Sequence, residues 1–528
     1  MRTEMTPFAT VSPLGAIEGG ELSDVTATPI DALDAMVARA RGAQRAWGEK
    51  PIADRVKAIA VCKDRILDRA EAIAKEIHRE VGKPEIEALL GEVLPSADVV
   101  AYWCGAIEEL LEGAEIELDR MAYPKKTGLI HRDPRGVIGV IMPWNFPFAL
   151  PLRTIVPALL AGNAVLFKPS EVSPRAGQLV ADIFAGLLPE GIFQIVQGGG
   201  DAGGALSAAD VDLIVFTGSV ASGRKVAHAC AERLSPCSLE LGGKDAAIVL
   251  ADANLDRAAQ GIVWGALMNA GQNCAAVERV YVEESVATAL ADKIVLAVRA
   301  LRPGEVGPLT TRAQRATVHR HVEGARAAGA TVLVGGASGG GGESDGSREP
   351  DAYAYAPTVL RVNAGAAADE MDLMREETFG PVIPIAAVAS ADEALARANA
   401  SKYGLTASVW TKDIRRGEAL GRKLRAGVVT INNHSFTGAL PAAPWSGHGE
   451  TGYGITSSPL ALEAFTRPRF VLVDKSRATR ELWWYPYTPA LRTIALSMAK
   501  LRSGSTGFFE KIKALFALLA AFPKRMKH

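Results

Sequence analysis

The sequence lacks the marks of several protein classes. Five cysteines, Cys62, Cys104, Cys230, Cys237 and Cys274, are scattered over 528 residues with no C-x-x-C pair. That spacing argues against a disulfide framework and a zinc site, so no metal is expected and a reducing compartment is. There is no apolar run of the roughly 18 residues that a membrane-spanning helix needs. The opening MRTEMTPFATVSPLG has no basic segment followed by an apolar one, so no secretory signal is visible and a cytoplasmic protein is expected. Neither sign of charge is in excess: the formal total is -1, and Lys and Arg are massed only at the C-terminus. That balance gives no reason to expect nucleic acid and leaves small-molecule chemistry as the starting reading.

What is present is the composition of a folded chain of two or three domains, 48% apolar and 22% charged. From Ile30 to about Arg79, Leu33, Met36, Val37, Ala40, Val56, Ile59, Ala60 and Ile66 recur at helical spacing and predict an α-rich opening. Between Gly136 and Gly261 the runs VIGVIM, AVLFKP, FQIVQ, LIVFTG and AAIVL alternate with helical stretches, the pattern of a parallel sheet with crossover helices. A second such region, from Ile262 to about Asn432, carries RVYVE, TVLVGG, PVIPIAAV, ASVWT and GVVTIN. Within it ASGGGGESDGSREPD (Ala337 to Asp351) reads as a surface loop, since no strand-to-helix frame surrounds its glycines.

Three segments can carry chemistry. Cysteine is by default a small buried hydrophobe, but Cys274 in NAGQNCAAVERVYV follows a Gly-Gln-Asn turn and precedes a β-rich run, a setting that places a thiol at a strand edge. Glu240 in SLELGGKDAAIVL is a lone carboxylate followed by two glycines. Glycines there let backbone approach a ligand, and a desolvated glutamate acquires the raised pKa that suits a general base. Asn145 in MPWNFPF is an amide between two prolines that could donate to an oxyanion, or could mark only a rigid turn.

Together with their order, these segments resemble the aldehyde dehydrogenase superfamily from about Leu14 to Lys475: PWNFP at 143–147, KPSE at 168–171, FTGS at 216–219, ELGGK at 240–244, GQNC at 271–274 and EETFGPV at 376–382. The phrasing of the core looks most like a branch acting on apolar aldehydes, including carotenoid dialdehydes. The resemblance implies an α/β fold with a Rossmann-type cofactor domain (1–115 and 133–240), a second α/β catalytic domain (241–432) and a small β oligomerisation element (116–132 and 433–475). A C-terminal extension, 476–528, lies outside the common fold.

The resemblance also assigns roles. Cys274 is the nucleophile, Asn145 with the Cys274 N–H the oxyanion hole, and Glu240 the base. An aldehyde is attacked by the thiolate, a hydride passes to nicotinamide, and water activated by Glu240 hydrolyses the thioester. Lys168 and Glu171 fall at the adenosine ribose, Gly218 and Ser219 near the pyrophosphate, Pro143 and Trp144 against the cofactor, and Glu377 and Phe379 at the nicotinamide ribose and ring. GGGDAGG at 198–204 is not the dinucleotide fingerprint. The Glu171 carboxylate favours NAD, while Lys168 with Arg224 or Lys225 leaves NADP open. Glu240 speaks against a relative that passes the thioester to coenzyme A or reduces an acyl phosphate, and the three residues together against a non-catalytic homologue.

Arg153, eight residues after Asn145 on the same expected helix, matches a tunnel position. It would suit a semialdehyde bearing a carboxylate, such as succinic semialdehyde, whereas the core phrasing favours apolar aldehydes. Near the C-terminal end the usual Pro-Phe-Gly-Gly appears as PWSGHGETGYG (Pro444 to Gly454), with Ser446 for a glycine, and Leu301 to Thr311 is shorter than the norm. A homodimer or dimer of dimers is implied, built from about Ile116 to Arg132 and Phe470 to Lys475.

Residues 489–528 carry eight basic residues against one acid, Glu510, a net of +7 on a chain of total -1. In FFEKIKALFALLAAF, residues Ile512, Leu515, Phe516, Leu519 and Phe522 predict an amphipathic helix stopped by Pro523, downstream of Trp483, Trp484, Tyr485 and Tyr487. It is expected to rest on a membrane surface, the alternative being packing on the enzyme itself or across an oligomer interface.

Overall fold

Strands buried on both faces read as continuous apolar runs, and the runs in the middle of this chain form two mostly parallel sheets. A computed structural model describes residues 25–119, 122–336, 353–363, 365–434 and 436–526. The chain divides into two units, Met1–Glu112 with Arg132–Arg469, and Gly113–His131 with Phe470–His528. The expected loop at 337–351 lies outside the described residues.

In the larger unit a six-stranded sheet runs in the order Gly452–Tyr453, Cys237–Glu240, Leu213–Thr217, Val137–Ile141, Ala164–Lys168, Phe193–Ile195. Only Gly452–Tyr453 is antiparallel to its neighbour. Helices Ala149–Leu160, Pro174–Phe184, Gly200–Ala208 and Val220–Glu232 make the crossovers. A seven-stranded sheet follows the order Thr331–Val334, Thr358–Val362, Val382–Val388, Val277–Glu283, Asp245–Val249, Thr406–Trp410, Val428–Ile431, antiparallel only at its first pair. The run AAIVL therefore belongs to the second sheet and not, as its position suggested, to the first. The chain changes sheets between Glu240 and Asp245, across Gly242 and Gly243.

The opening helices Leu33–Gly48, Ile52–Asp68 and Ala70–Val81 bury Leu33, Val37, Ala40, Ile59 and Ile66 against the six-stranded core. Ala60 is exposed; the buried face of its helix is instead completed by Cys62 and by Arg55, whose guanidinium donates to the carbonyls of Leu160, Gly48 and Lys50.

In the smaller unit, Lys126–Pro134 is the central strand between Ala114–Ile116 and Thr466–Asp474. Lys126 donates to Asp474 at 2.8 Å and Glu481 at 2.9 Å. Helices Pro489–Arg502 and Phe508–Met526 form an antiparallel hairpin. The second helix runs through Pro523 to Met526 instead of stopping at it, because a proline near the end of a helix removes only one bond from its last turns. Its amphipathicity is inverted. Ala514, Ala521 and Arg525 are buried, whereas Phe508, Phe509, Ile512, Leu515, Phe516, Leu519 and Phe522 are exposed. Arg525 is thus not one of the outward basic residues: its guanidinium donates to the carbonyls of Leu482 (3.0 Å) and Trp484.

Replacing Arg525 by Ala removes both charged donors and should destabilise this unit by about 2 kcal/mol. Urea unfolding followed by Trp fluorescence, with hydrogen exchange at residues 482–484, measures it; an unchanged midpoint would contradict this role.

Candidate active site

Cys274 is delivered by a strained turn. After helix Leu255–Leu267 the chain passes through Asn269, Ala270 and Gly271 with φ of 54°, 54° and 71°, three successive left-handed residues of which only the last is a glycine. A Cβ on Gly271 would strike the Gly380 carbonyl oxygen. Side chains hold the turn in shape. Glu87 accepts from the Asn269 N–H at 2.8 Å, the Asn269 amide donates to the carbonyls of Asn145 (2.9 Å) and Gln272 (3.0 Å), and Gln272 accepts from the Thr310 N–H at 2.8 Å. Cys274 emerges three residues ahead of strand Val277–Glu283.

Asn145 lies in the turn before helix Ala149–Leu160, so it and Arg153 do not share a helix; only Arg153 is on it. The flanking prolines are not what fixes Asn145. Its carbonyl accepts from Lys83 Nζ at 2.8 Å as well as from Asn269, and its amide donates to the Gln272 carbonyl at 3.2 Å. Lys83 is fully buried, pairs with Glu92 and lies 3.9 Å from the centroid of the Phe146 ring. The other oxygen of Glu92 accepts from the N–H groups of Phe148 (2.8 Å) and Ala149 (3.3 Å), at the N-terminus of the helix.

Glu240 ends strand Cys237–Glu240, and its Oε1 accepts from the Trp445 indole N–H at 3.3 Å. Burial pushes the Glu240 carboxyl up, against the opposing pull of the Cys274 thiol, Trp445 and Arg153. Burial and the nearby Glu240 carboxylate hold the Cys274 thiol well above its ordinary value. With both groups raised, the resting pair holds its proton on sulfur, and the thiol needs an adjacent acceptor to become a nucleophile. Glu240 is the carboxylate suited to that role, since it and Cys274 each act on the other's proton affinity; the thiol itself donates to Asn273 Oδ1 at 3.8 Å.

Two cavities meet at Cys274. One, of about 600 Å³, is lined by Pro143, Trp144, Asn145, Lys168, Glu171, Gly218, Ser219, Glu377 and Phe379, and by Lys225. The residues fit a dinucleotide. Ser219 caps helix Val220–Glu232, its Oγ accepting from the Ser222 N–H, and turns that helix N-terminus toward the cavity. Lys168 and Glu171 pair at 3.1 Å. Trp144 and Phe379 meet edge to face at 5.7 Å. Glu377 accepts from the Gly243 N–H at 3.1 Å, and burial raises it to about 8. A side chain on Gly200 or Gly204 would meet nothing, so open space faces these backbones. The other cavity, of about 320 Å³, is walled by Leu90, Phe146, Leu150, Trp264, Met268, Ala439 and Trp445, with Arg153 and Glu87 among them. Arg153 donates to the Gly438 carbonyl, and its Cζ lies 5.9 Å from the centroid of the Trp445 ring.

The model of the aldehyde dehydrogenase family matches residues 2–471. The chain belongs to the aldehyde dehydrogenase family. A 4,4'-diapolycopene aldehyde oxidase from a Methylomonas species is 36% identical to it over 92% of this chain and 89% of that protein. A Mycolicibacterium smegmatis protein named for NADP(+)-linked succinate-semialdehyde dehydrogenase activity is 33% identical over 90% of this chain and 92% of its own length. Among solved structures, PnpE in complex with nicotinamide adenine dinucleotide has a TM-score of 0.82 at 30% identity, covering 90% of this chain and 96% of that one. This aldehyde dehydrogenase oxidises an aldehyde with NAD or NADP as the hydride acceptor.

Several residues that shape the site were not foreseen. Lys83, in Gly-Lys-Pro, gives no sign of its partner nine residues on. Lys244 and Glu278 pair in the interior, and Glu278 accepts from the N–H groups of Thr378 and Phe379, fixing the segment that carries Glu377. Their signal was readable: each lies four residues after Glu240 or Cys274. His434 bonds the Ala275 carbonyl at 2.8 Å, and burial lowers it to about 4, so it is neutral.

Lys83→Met leaves Glu92 buried without a counter-charge and should lower stability by about 3–5 kcal/mol. The double variant Lys83→Met/Glu92→Leu should recover most of that loss in chemical denaturation. A double variant as unstable as the single would refute the ion-pair account.

Proposed function

We propose that this aldehyde dehydrogenase oxidises an apolar, extended aldehyde to its acid through Cys274, with Asn145 and the Cys274 N–H stabilising the oxyanion and Glu240 serving as base. The observation that carries the reading is that the dinucleotide-sized cavity and the apolar tunnel meet at Cys274, whose thiol pKa is held up by burial and by the nearby Glu240 carboxylate. The dinucleotide, when bound, takes up the hydride that the reaction releases. The six-stranded sheet carries the dinucleotide contacts and the seven-stranded sheet the nucleophile.

Glu240 first takes the thiol proton, and the sulfur adds to the aldehyde carbon. Asn145 Nδ2–H and the Cys274 N–H donate to the alkoxide. Loss of hydride leaves a thioester; Glu240, after passing its first proton to solvent, takes a second from water as its oxygen attacks, the C–S bond breaks, and the acid and thiolate form. Glu240 then returns that proton to the sulfur, which restores the resting thiol and carboxylate.

Two features support an apolar substrate. The tunnel wall is aliphatic and aromatic, and Arg153, the one guanidinium among the described residues that line it, is already engaged by the Gly438 carbonyl and the Trp445 face. The diapolycopene aldehyde oxidase relative supports the same class. Arg153 within the tunnel, with the semialdehyde relative, favours a second reading in which a substrate carboxylate displaces those contacts. At the mouth of the larger cavity, Glu171 favours NAD through the ribose 2′-hydroxyl.

The extension serves as a membrane dock in this reading. Among the described residues no helix is long and apolar enough to cross a bilayer. The outward row of Phe508, Phe509, Phe516 and Leu519, with exposed Trp484, Tyr485 and Tyr487 in the same unit, is bordered by Lys513 and Lys524, which complements an anionic lipid surface. A substrate drawn from lipid gives this contact its purpose. The fold family assembles as oligomers, and the unpaired edge of Thr466–Asp474, with Phe470 and Leu472 exposed, is the surface we assign to self-association.

Cys274→Ala should abolish turnover while dinucleotide binding persists, and Glu240→Gln should slow the later steady-state turnover more than the first burst of reduced cofactor. A panel of long-chain aldehydes and succinic semialdehyde, read by cofactor absorbance, tests the substrate class; a kcat/KM that favours the semialdehyde overturns the apolar reading. Phe509→Glu with Phe516→Glu should abolish sedimentation with phosphatidylglycerol vesicles and leave activity on a short soluble aldehyde intact. Undiminished sedimentation removes the membrane role.

A further inference from the structure

Trp445 is fixed from several directions. Its backbone bonds to Thr456 both ways, at 2.8 and 2.9 Å, and its side chain packs with Ala275, Leu405 and Val428 and against Cys274. One face of the ring is turned to the Arg153 guanidinium, and the indole N–H is spent on Glu240. An indole N–H can only donate, so it cannot relieve Glu240 of a proton. What it can do is select the carboxylate over the acid and fix where one oxygen sits; the Thr217 hydroxyl also favours the charged form. The charged and titratable groups that face Glu240 are the Cys274 thiol and the Arg153 guanidinium. Neither fixes the carboxylate as Trp445 does, because the thiol is consumed in the thioester and Arg153 is bonded to Gly438.

We infer that Trp445 is a positioning residue for hydrolysis: its indole N–H pins Glu240 beside Cys274 during the part of the cycle in which the sulfur is acylated and can no longer hold the carboxylate. The inference rests on the reading of Glu240 as base. It follows that the indole matters little while the thiol is free and most when the thioester stands, and that Trp445 joins the tunnel wall to the hydrolytic group in one side chain.

Trp445→Phe removes the N–H and keeps the ring. Rapid-quench intact-mass measurement follows the acyl adduct as it forms and decays on the full-length enzyme with its cofactor. At saturating aldehyde the adduct should still form, which reports a folded and competent site, with formation slowed less than decay, and decay at neutral pH should slow about tenfold, the loss of one charge-assisted bond. The sign of the pH effect is fixed. Hydrolysis needs the carboxylate, losing a donor to the charged form raises its pKa, and so the acid limb of the decay rate should move up by roughly one pH unit. Unchanged decay and an unmoved limb overturn the inference, as does formation slowed as much as decay, or no adduct at all. Glu240→Gln in parallel separates the two claims. Fast decay there means that Glu240 is not the base, whereas slow decay there with normal decay in Trp445→Phe removes the role of Trp445 alone.

Discussion

A buried ammonium has to be neutralised where it stands, and the geometry of this active site depends on that constraint at Lys83. Its side chain is fully buried, and its Nζ is satisfied by Glu92 and the Asn145 carbonyl. Because the second oxygen of Glu92 is held by the Phe148 and Ala149 N–H groups, one ion pair sets the height of Asn145 and the start of the helix bearing Arg153. Across the site Lys244 and Glu278 repeat the device for Thr378 and Phe379, beside Glu377. Two walls of the site are thus hung from salt bridges that have no freedom to adjust. That rigidity is what lets a strained turn of three left-handed residues persist between them.

The same dryness governs the chemistry. Burial raises Cys274 and Glu240 together, so the resting site holds a neutral thiol, which in the proposed reading becomes reactive by giving its proton to Glu240. An exposed thiolate would be open to oxidation; a thiol kept protonated beside its own base is protected until substrate arrives.

Much of this was legible in the sequence. The strand runs were placed to within a residue or two, because strands buried on both faces leave an unbroken apolar signature. The motif residues Cys274, Asn145, Lys168, Glu171, Gly218, Ser219, Glu377 and Phe379 line one cavity, and Glu240 is bonded to Trp445 in the wall of the other. AAIVL was misplaced because periodicity carries no information about which sheet a strand joins. Ala60 was counted with the apolar positions of its helix, though a small side chain decides nothing about a helix face. The long-range partners of Lys83 and the indole bond of Trp445 arise from tertiary contact alone. In the terminal helix the pattern was right and its apolar stripe is exposed, as resting on a surface would require, although a hydrophobic stripe alone does not say whether it faces its own chain; the helix end expected at Pro523 was placed too early.

Two openings that converge on one sulfur have a consequence for traffic. In the proposed reading a covalent intermediate on Cys274 would fill the tunnel from within while the larger chamber stayed open on its own side, so that a spent dinucleotide could depart past Trp144 and Phe379 without crossing the path of the acyl chain. Its departure would leave a vestibule beside the thioester, through which solvent for hydrolysis could enter even with a long hydrocarbon in the tunnel. An enzyme arranged in this way can work on a substrate whose far end never leaves an oily phase.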